Sequence, residues 1–287
     1  MEPELICDGY TFIEGPRMDA AGNLYFSDII IGGVFRRAPD GKVKHVLAER
    51  KSIGGLALNE DGRVVVAGEG PLLLVDIDTG HSEILADTVG ALPIGSVNDV
   101  QADGDGGLYA GLIDPNMTFD STGGAAARAQ GMPLIHIGPD RTVRSVAEGF
   151  KISNGIGLSP DRKRLYQAET LEGVYGYDRS EDGSLANREL LFRHNFTDGL
   201  AVDSEGFIWI AAVQDGAIKR FSPNGRFDRS LDLPVTEVSS LTFGGVDCRD
   251  LYVVTGSDLG NPGCTPTGRI YRFRADVPGL PTALTRF

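Results

Sequence analysis

Six stretches carry one motif: DAAGNLYF at 19–26, NEDGRVVV at 59–66, ADGDGGLYA at 102–110, SPDRKRLYQ at 159–167, DSEGFIWI at 203–210 and GVDCRDLYVV at 245–254. Each is a polar turn, mostly of the D/N-x-x-G kind, that runs into a short apolar strand. The equivalent strand positions are Tyr25, Val65, Tyr109, Tyr166, Trp209 and Tyr252, spaced by 40, 44, 57, 43 and 43 residues. A period of about 40–45 residues built from short strands is the signature of propeller blades.

Working outward, a second series keeps the same phase. GGVFRRAPDG (32–41), PLLLVDIDTG (71–80), PLIHIGPD (133–140), GVYGYDRSEDG (173–183), GAIKRFSPNG (216–225) and GRIYRFRAD (268–276) each read as a strand with a turn. The first five lead into a further short strand; the sixth does not, and ELICDG at 4–9 supplies the missing piece from the front. The expectation is an all-β, six-bladed β-propeller of four-stranded blades, closed by an N-terminal strand, with residues 1–287 forming a single domain. No window holds a 3.6-residue period, so little helix is expected. The 57-residue spacing marks an insertion at 112–132, expected to be a loop and a candidate lid.

Composition agrees. Glycine makes up 39 of 287 residues, about twice the usual share, which suits a chain of many tight turns. A net charge of -13 argues against nucleic acid or an anionic membrane as partner. No apolar run reaches the roughly 18–20 residues of a membrane span. The acidic start MEPEL has no signal-type apolar core, so a cytoplasmic protein is expected. Cys7, Cys248 and Cys264 form no CxxC; reduced thiols are expected, a Cys248–Cys264 bridge being the alternative.

Aligning the units 11–13 residues before each marker gives Glu14, Gly54, Asn98, Asn154, Asp198 and Ser239. Each falls where an innermost strand begins, so all six converge at one mouth of the central channel. Four carry an oxygen donor. Two carboxylates meeting in a narrow channel repel and are poorly solvated, which a divalent cation relieves. Glu14, Asn98, Asn154 and Asp198 form a hard, all-oxygen set suited to Ca²⁺, Mg²⁺ or Mn²⁺, with Ca²⁺ favoured. His45, His81, His136 and His194 show no ligand spacing, and His136 reads as structural. Asp28 and Glu169 read as strand-end hydrogen-bonding residues.

FIEGPRMDAAGNLYFSDI (12–29), SNGIGLSPDRKRLYQAET (153–170), TDGLAVDSEGFIWIA (197–211) and VSSLTFGGVDCRDLYVVTG (238–256) resemble the gluconolactonase, regucalcin (senescence marker protein) and luciferin-regenerating-enzyme family of six-bladed propellers. The tail GRIYRFRADVPGLP (268–281) is similar too. The resemblance implies one divalent ion, with calcium, zinc, manganese or magnesium all represented, held by Glu14, Asn98, Asn154 and Asp198. It also implies that Asp198 is the general base, and that the reaction is hydrolysis of a small lactone. Asn98 would touch both ion and substrate, and Asp99 is an outer residue or an alternative base.

One departure stands out. The family segment R-P-N-D-G is here Ser96-Val97-Asn98-Asp99-Val100. Loss of the guanidinium fork removes donors suited to a hydroxyl-rich sugar lactone. A less polar lactone is therefore expected, such as an alicyclic or aromatic-derived one, with Met117, Phe119 and Met132 forming an apolar lid. The expected partner is a small-molecule lactone, the protein being a monomer or weak oligomer. The rivals are a phosphotriesterase-like hydrolase, a non-hydrolytic isomerase or lyase, and a non-enzymatic, metal-stabilised binding propeller.

Overall fold

The computed structural model describes residues 2–117, 129–257 and 267–287. No helix occurs among them, and none is long and apolar enough to cross a membrane. Among the described residues six blade sheets of antiparallel strands follow one another along the chain, with a small two-stranded ribbon, Thr88–Val89 with Leu92–Pro93, between the second and third. The first blade is Ile13–Met18, Leu24–Asp28, Val34–Arg37 and Val43–Val46; the second is Leu56–Leu58, Val64–Val66, Leu72–Val75 and Ser82–Ala86. The third is Ser96–Ala102, Leu108–Leu112, Met132–Ile137 and Val143–Phe150, and it gains Gly68–Glu69 at its inner edge. The fourth is Ser153–Leu158, Arg164–Glu169, Gly173–Arg179 and Leu185–Arg193; the fifth is Thr197–Val202, Ile208–Ala212, Ala217–Phe221 and Phe227–Asp232. Val238–Gly244, Asp250–Thr255 and Gly268–Arg274 form the sixth, whose outer strand is Glu4–Tyr10, with Glu4 opposite Arg272 and Tyr10 opposite Gly268. The N-terminal strand thus closes the ring as expected.

Each innermost strand touches the next, and the sixth touches the first. The buried residues divide into six clusters, one per junction between blades. Every inner and second strand is sandwiched between neighbouring sheets. That explains continuous apolar runs such as Ile208–Ala212, buried throughout, instead of alternation.

The recurrent turn is built around its first carboxylate. Asp203 Oδ1 accepts the Glu205 and Phe207 amides, both at 3.0 Å, and its Oδ2 accepts Trp209 Nε1 at 2.8 Å. Asp19 repeats the scheme with Ala21, Asn23 and the Tyr25 hydroxyl. Gly22 and Gly206 sit at φ +82° and +83°, which a side chain disfavours. Turn residue and marker aromatic therefore recur together because they hydrogen bond.

The chain after the last strand was not anticipated. It crosses the underside of the ring, where Ser204 donates to Pro278 O, Gly279 to Cys248 O, Thr282 Oγ1 to Met18 O, Thr285 to Leu58 O and Arg286 to Gly106 O. It leaves a cavity of about 250 Å³ at that end of the channel, lined by Arg17, Gln101, Leu200, Leu241 and Leu280 among others.

The insertion is shorter than expected. Leu112 ends one strand of the third blade and Met132 begins the next, opposite Phe150. Met132 is buried among Ile94, Val97 and Leu112. It belongs to the core and not to a lid, because its position continues the strand ladder. Asp114 ties the two ends of the connection, accepting the Asn116 amide at 2.9 Å and the Gln130 amide at 3.0 Å. Met117 is partly exposed beside it. Phe119 and Cys264 lie outside the described residues; Cys7 and Cys248 are free thiols.

Candidate metal and catalytic site

Five of the six innermost strands are irregular at the position singled out above, the second blade's Leu56–Leu58 being the exception. Pairing register slips between Glu14 and Arg17, between Val97 and Val100, between Ser153 and Ile156, between Thr197 and Leu200, and between Val238 and Ser240. Glu14, Asn98, Asn154, Asp198 and Ser239 each fall at or within such a slip. A bulge takes a residue out of the ladder and re-aims its side chain. Glycine follows at 15, 155 and 199, where the neighbouring inner strand comes close: a Cβ on Gly155 would lie 2.3 Å from Leu200 N.

The four oxygen-bearing residues form one linked group. Asn98 Nδ2 donates to Ser153 O at 3.0 Å, next to Asn154. Asn154 Nδ2 donates to Thr170 Oγ1 at 3.1 Å, and its amide also hydrogen bonds to the Asp198 carboxylate. Glu14, buried, feels the charge of Asp198 and then of Asp99. With their NH₂ groups spent on protein oxygens, the two amides have their carbonyl oxygens left for a cation. Asn98 Oδ1 lies 2.4 Å from where a Cβ on Gly54 would stand, so the second blade contributes space, not a donor. Ser239 is likewise no donor to the channel, since its hydroxyl bonds Ile13 O at 2.6 Å and sews the last blade to the first.

Burial is the main force pushing the Glu14 carboxyl well above its ordinary range, with Asp198 and Asp99 adding to it. Asp198 is raised likewise, first by burial, then by Asp99 and Glu237, against the Asn154 hydrogen bond. Two such groups are poor anions unless positive charge joins them. The donor set fits a hard divalent cation, which would hold both ionised. Among the described residues no group of three or more His, Cys, Asp and Glu is arranged to hold a metal, so this set of two carboxylates and two amides is the candidate.

The other expected residues fall as follows. Ser96 is buried at the start of its strand, opposite Glu69. Asp99 is buried, and its carboxylate accepts the Val100 amide at 2.7 Å and the Ile156 amide. Asp28 and Glu169 are strand-end acceptors as expected, Asp28 Oδ2 taking Thr11 N at 2.6 Å and Glu169 Oε2 taking Lys151 N at 3.0 Å. His136 is structural, 2.8 Å from Asp103 Oδ2.

Sequence reading missed Arg17, Thr170 and Glu237. Arg17 had a signal, a second charge three residues after Glu14 in the same short inner strand. Thr170 lies within a recognised segment but sixteen residues from the amide it accepts.

The profile of the SMP-30/gluconolactonase/LRE-like region matches residues 12–257 of this ring. The chain belongs to that family. Its similarity to the 6-deoxy-6-sulfogluconolactonase of Pseudomonas putida is 30% identity over 273 residues, covering 89% of this chain and 88% of the relative. The pentonolactonase XacC of Haloferax volcanii is 31% identical over 246 residues, 83% and 79% of the two chains. A luciferin-regenerating enzyme shares the fold, with a TM-score of 0.87 over the whole of both chains at 23% identity. The family match includes Glu14, Asn98, Asn154 and Asp198.

Proposed function

We propose that the protein is a divalent-cation-dependent lactone hydrolase that opens a small lactone to a hydroxy acid. The observation that carries this reading is the group Glu14, Asn98, Asn154 and Asp198 at one mouth of the channel, where burial and neighbouring carboxylates push the two acids well above their ordinary range. The names of the two lactonase relatives support the substrate class.

Glu14, Asn98, Asn154 and Asp198 would hold the ion, Ca²⁺ being favoured by the all-oxygen set. When bound, the ion supplies Lewis-acid polarisation of the lactone carbonyl and stabilises charge developing on its oxygen. Asp198 is partly exposed and takes a proton from the attacking water. The water oxygen bonds to the carbonyl carbon, the ring C–O bond breaks, and the proton passes to the departing alkoxide. Asn154 orients the Asp198 carboxylate through their hydrogen bond. Asn98, its NH₂ anchored on Ser153 O, would present its amide oxygen to the ion. With Ser96 where the resembling family carries arginine, the site has no cationic fork at that position, and a less hydroxylated lactone is the preferred substrate class.

The test is a pH-indicator screen of sugar, aliphatic and aromatic lactones, with chelator-treated protein, add-back of Ca²⁺, Mg²⁺, Mn²⁺ or Zn²⁺, and Asp198→Ala. Turnover restored by the cation and lowered about 10²–10⁴-fold in the variant is expected, the range for losing a general base. Undiminished turnover in Asp198→Ala would remove that residue from the mechanism, and reaction with aldonolactones alone would overturn the less polar substrate.

A further inference from the structure

Beneath the cation site a guanidinium reaches from the first blade to the third. Arg17 Nη1 donates to Pro16 O at 2.8 Å on its own strand, and Nη2 donates to Val100 O at 2.7 Å on the innermost strand of the third blade. The same Nη2 lies 3.6 Å from Asp99 Oδ1, both side chains being about nine-tenths buried. Arg17 also lines the underside cavity, so it is the floor between that space and the site.

The reach skips a blade, and the skipped blade explains how. At the two equivalent positions the second blade has Gly54 and Gly55. A Cβ on Gly54 would stand 2.4 Å from Asn98 Oδ1, and one on Gly55 would stand 2.7 Å from Asp99 Oδ1 and 2.6 Å from Val100 N. The Asn98-Asp99-Val100 segment therefore leans on bare backbone, with no side chain of the second blade to wedge it. It is also the segment where pairing has slipped between Val97 and Val100, so the ladder itself does not hold it. What holds it is Arg17 from below, Ser153 O on the Asn98 amide, and the Asp99 carboxylate tied to the Val100 and Ile156 amides.

We propose that Arg17 is a positioning residue that clamps the Asn98-Asp99-Val100 segment across the glycine step and so sets where the Asn98 amide oxygen stands in the cation site. The consequence for catalysis rests on the reading of Asn98 as a cation ligand; the clamp itself does not. The ordinary apolar residue of an inner strand could not do this, because it has no donor for Val100 O and no charge for Asp99. Lysine could not either: it is a single flexible point donor, whereas the guanidinium plane serves two carbonyls in a fixed geometry.

The experiment uses the full-length protein and two variants, Arg17→Lys and Gly55→Ala. The first removes the fork while keeping the charge; the second crowds the same segment at the Asp99 carboxylate and the Val100 amide without adding or removing a charge. The deciding readout is the side-chain amide resonance of Asn98 in the cation-free protein, assigned by its loss in Asn98→Ser, with that of Asn154 as internal control. In a folded Arg17→Lys protein the Asn98 amide moves and the Asn154 amide stays; Gly55→Ala moves the same resonance. Calorimetric titration with Ca²⁺ then shows affinity weakened by about 10-fold or more, as for other groups that orient a metal ligand.

An unmoved Asn98 amide in Arg17→Lys, whatever its melting temperature or Ca²⁺ affinity, overturns the inference, since a residue that only stabilises the fold would behave that way. If Arg17→Lys does not fold, an unmoved amide in Gly55→Ala overturns it equally. A displaced amide in a protein that binds no Ca²⁺ and opens no lactone upholds the clamp and defeats the catalytic reading, so the two fail separately.

Discussion

Glu14 and Asp198 are carboxylates in a place that resists their charge, and the sign of the resulting pH dependence is fixed. In the cation-free protein both folded-state values lie above the ordinary 4.5 and 3.8. As pH rises from those values through the raised ones, the folded state holds protons that the unfolded chain has lost. Stability therefore falls across that window. A bound cation reverses this, because it competes with the protons and gains as they leave. The melting temperature of chelated protein is expected to decline as pH rises above the ordinary carboxylate range, less steeply in Glu14→Gln, and the rise produced by Ca²⁺ is expected to grow in the same direction. A calcium-induced rise that is largest at low pH would show that these two groups do not hold the ion.

At the scale of the element, the repeat is stabilised by its turn carboxylates. Asp203 is fully buried; besides two turn amides it accepts Trp209 Nε1 and Arg220 Nε, each at 2.8 Å. Arg220 is itself buried, packs against the Phe207 ring, and keeps Glu205 and Asp228 at the surface as further partners. Asp203→Ala leaves an indole N–H and part of a buried guanidinium without an acceptor. Breaking a buried pair from one side costs about 3–5 kcal/mol. Urea denaturation is expected to show a loss of that size, and a loss under about 1 kcal/mol, the worth of a surface pair, would mean that Glu205 and Asp228 replace the buried acceptor. The asparagine variant should recover part of the loss, since its amide oxygen still accepts from Trp209. The inner strands follow the opposite logic, using irregular pairing at their first turn to aim site residues where regular pairing would not.

For the whole molecule, the core is six seams in a ring rather than one central mass. The N-terminal strand belongs to the seam between the last and first blades, where Tyr10 meets Phe26 and Phe35 edge-on at 5.0 and 5.2 Å. Removing residues 2–10 opens that seam and bares the edge of Gly268–Arg274. An unpaired strand edge is a template for association. The shortened protein is expected to melt at lower temperature and to sediment as dimers or larger species, whereas the full chain does not pair through this edge. An unchanged melting temperature with no association would show that the closing strand is dispensable. The channel is covered below by residues 278–286, at the end away from Glu14, Asn98, Asn154 and Asp198.

Much of this was legible in the chain, because it rests on local rules. The turn aspartates, glycines and marker aromatics recur since each turn satisfies its own hydrogen bonds, and a period of four short strands has few ways to bury its apolar faces. The meeting of Glu14, Asn98, Asn154 and Asp198 was legible for the same reason: equivalent residues of equivalent repeats must come together at the axis. What only the tertiary structure decided involves residues brought together by closure of the ring. Arg17 and Val100 are 83 positions apart, and nothing local links them. Met132 looked like a loop residue until the ladder opposite Phe150 claimed it. The slips that aim Asn98, Asn154 and Asp198 depend on pairing with a neighbouring strand, and the covering of the underside depends on where five blades present their turns. Those are properties of register and closure, and a linear pattern specifies them only after the ring has formed.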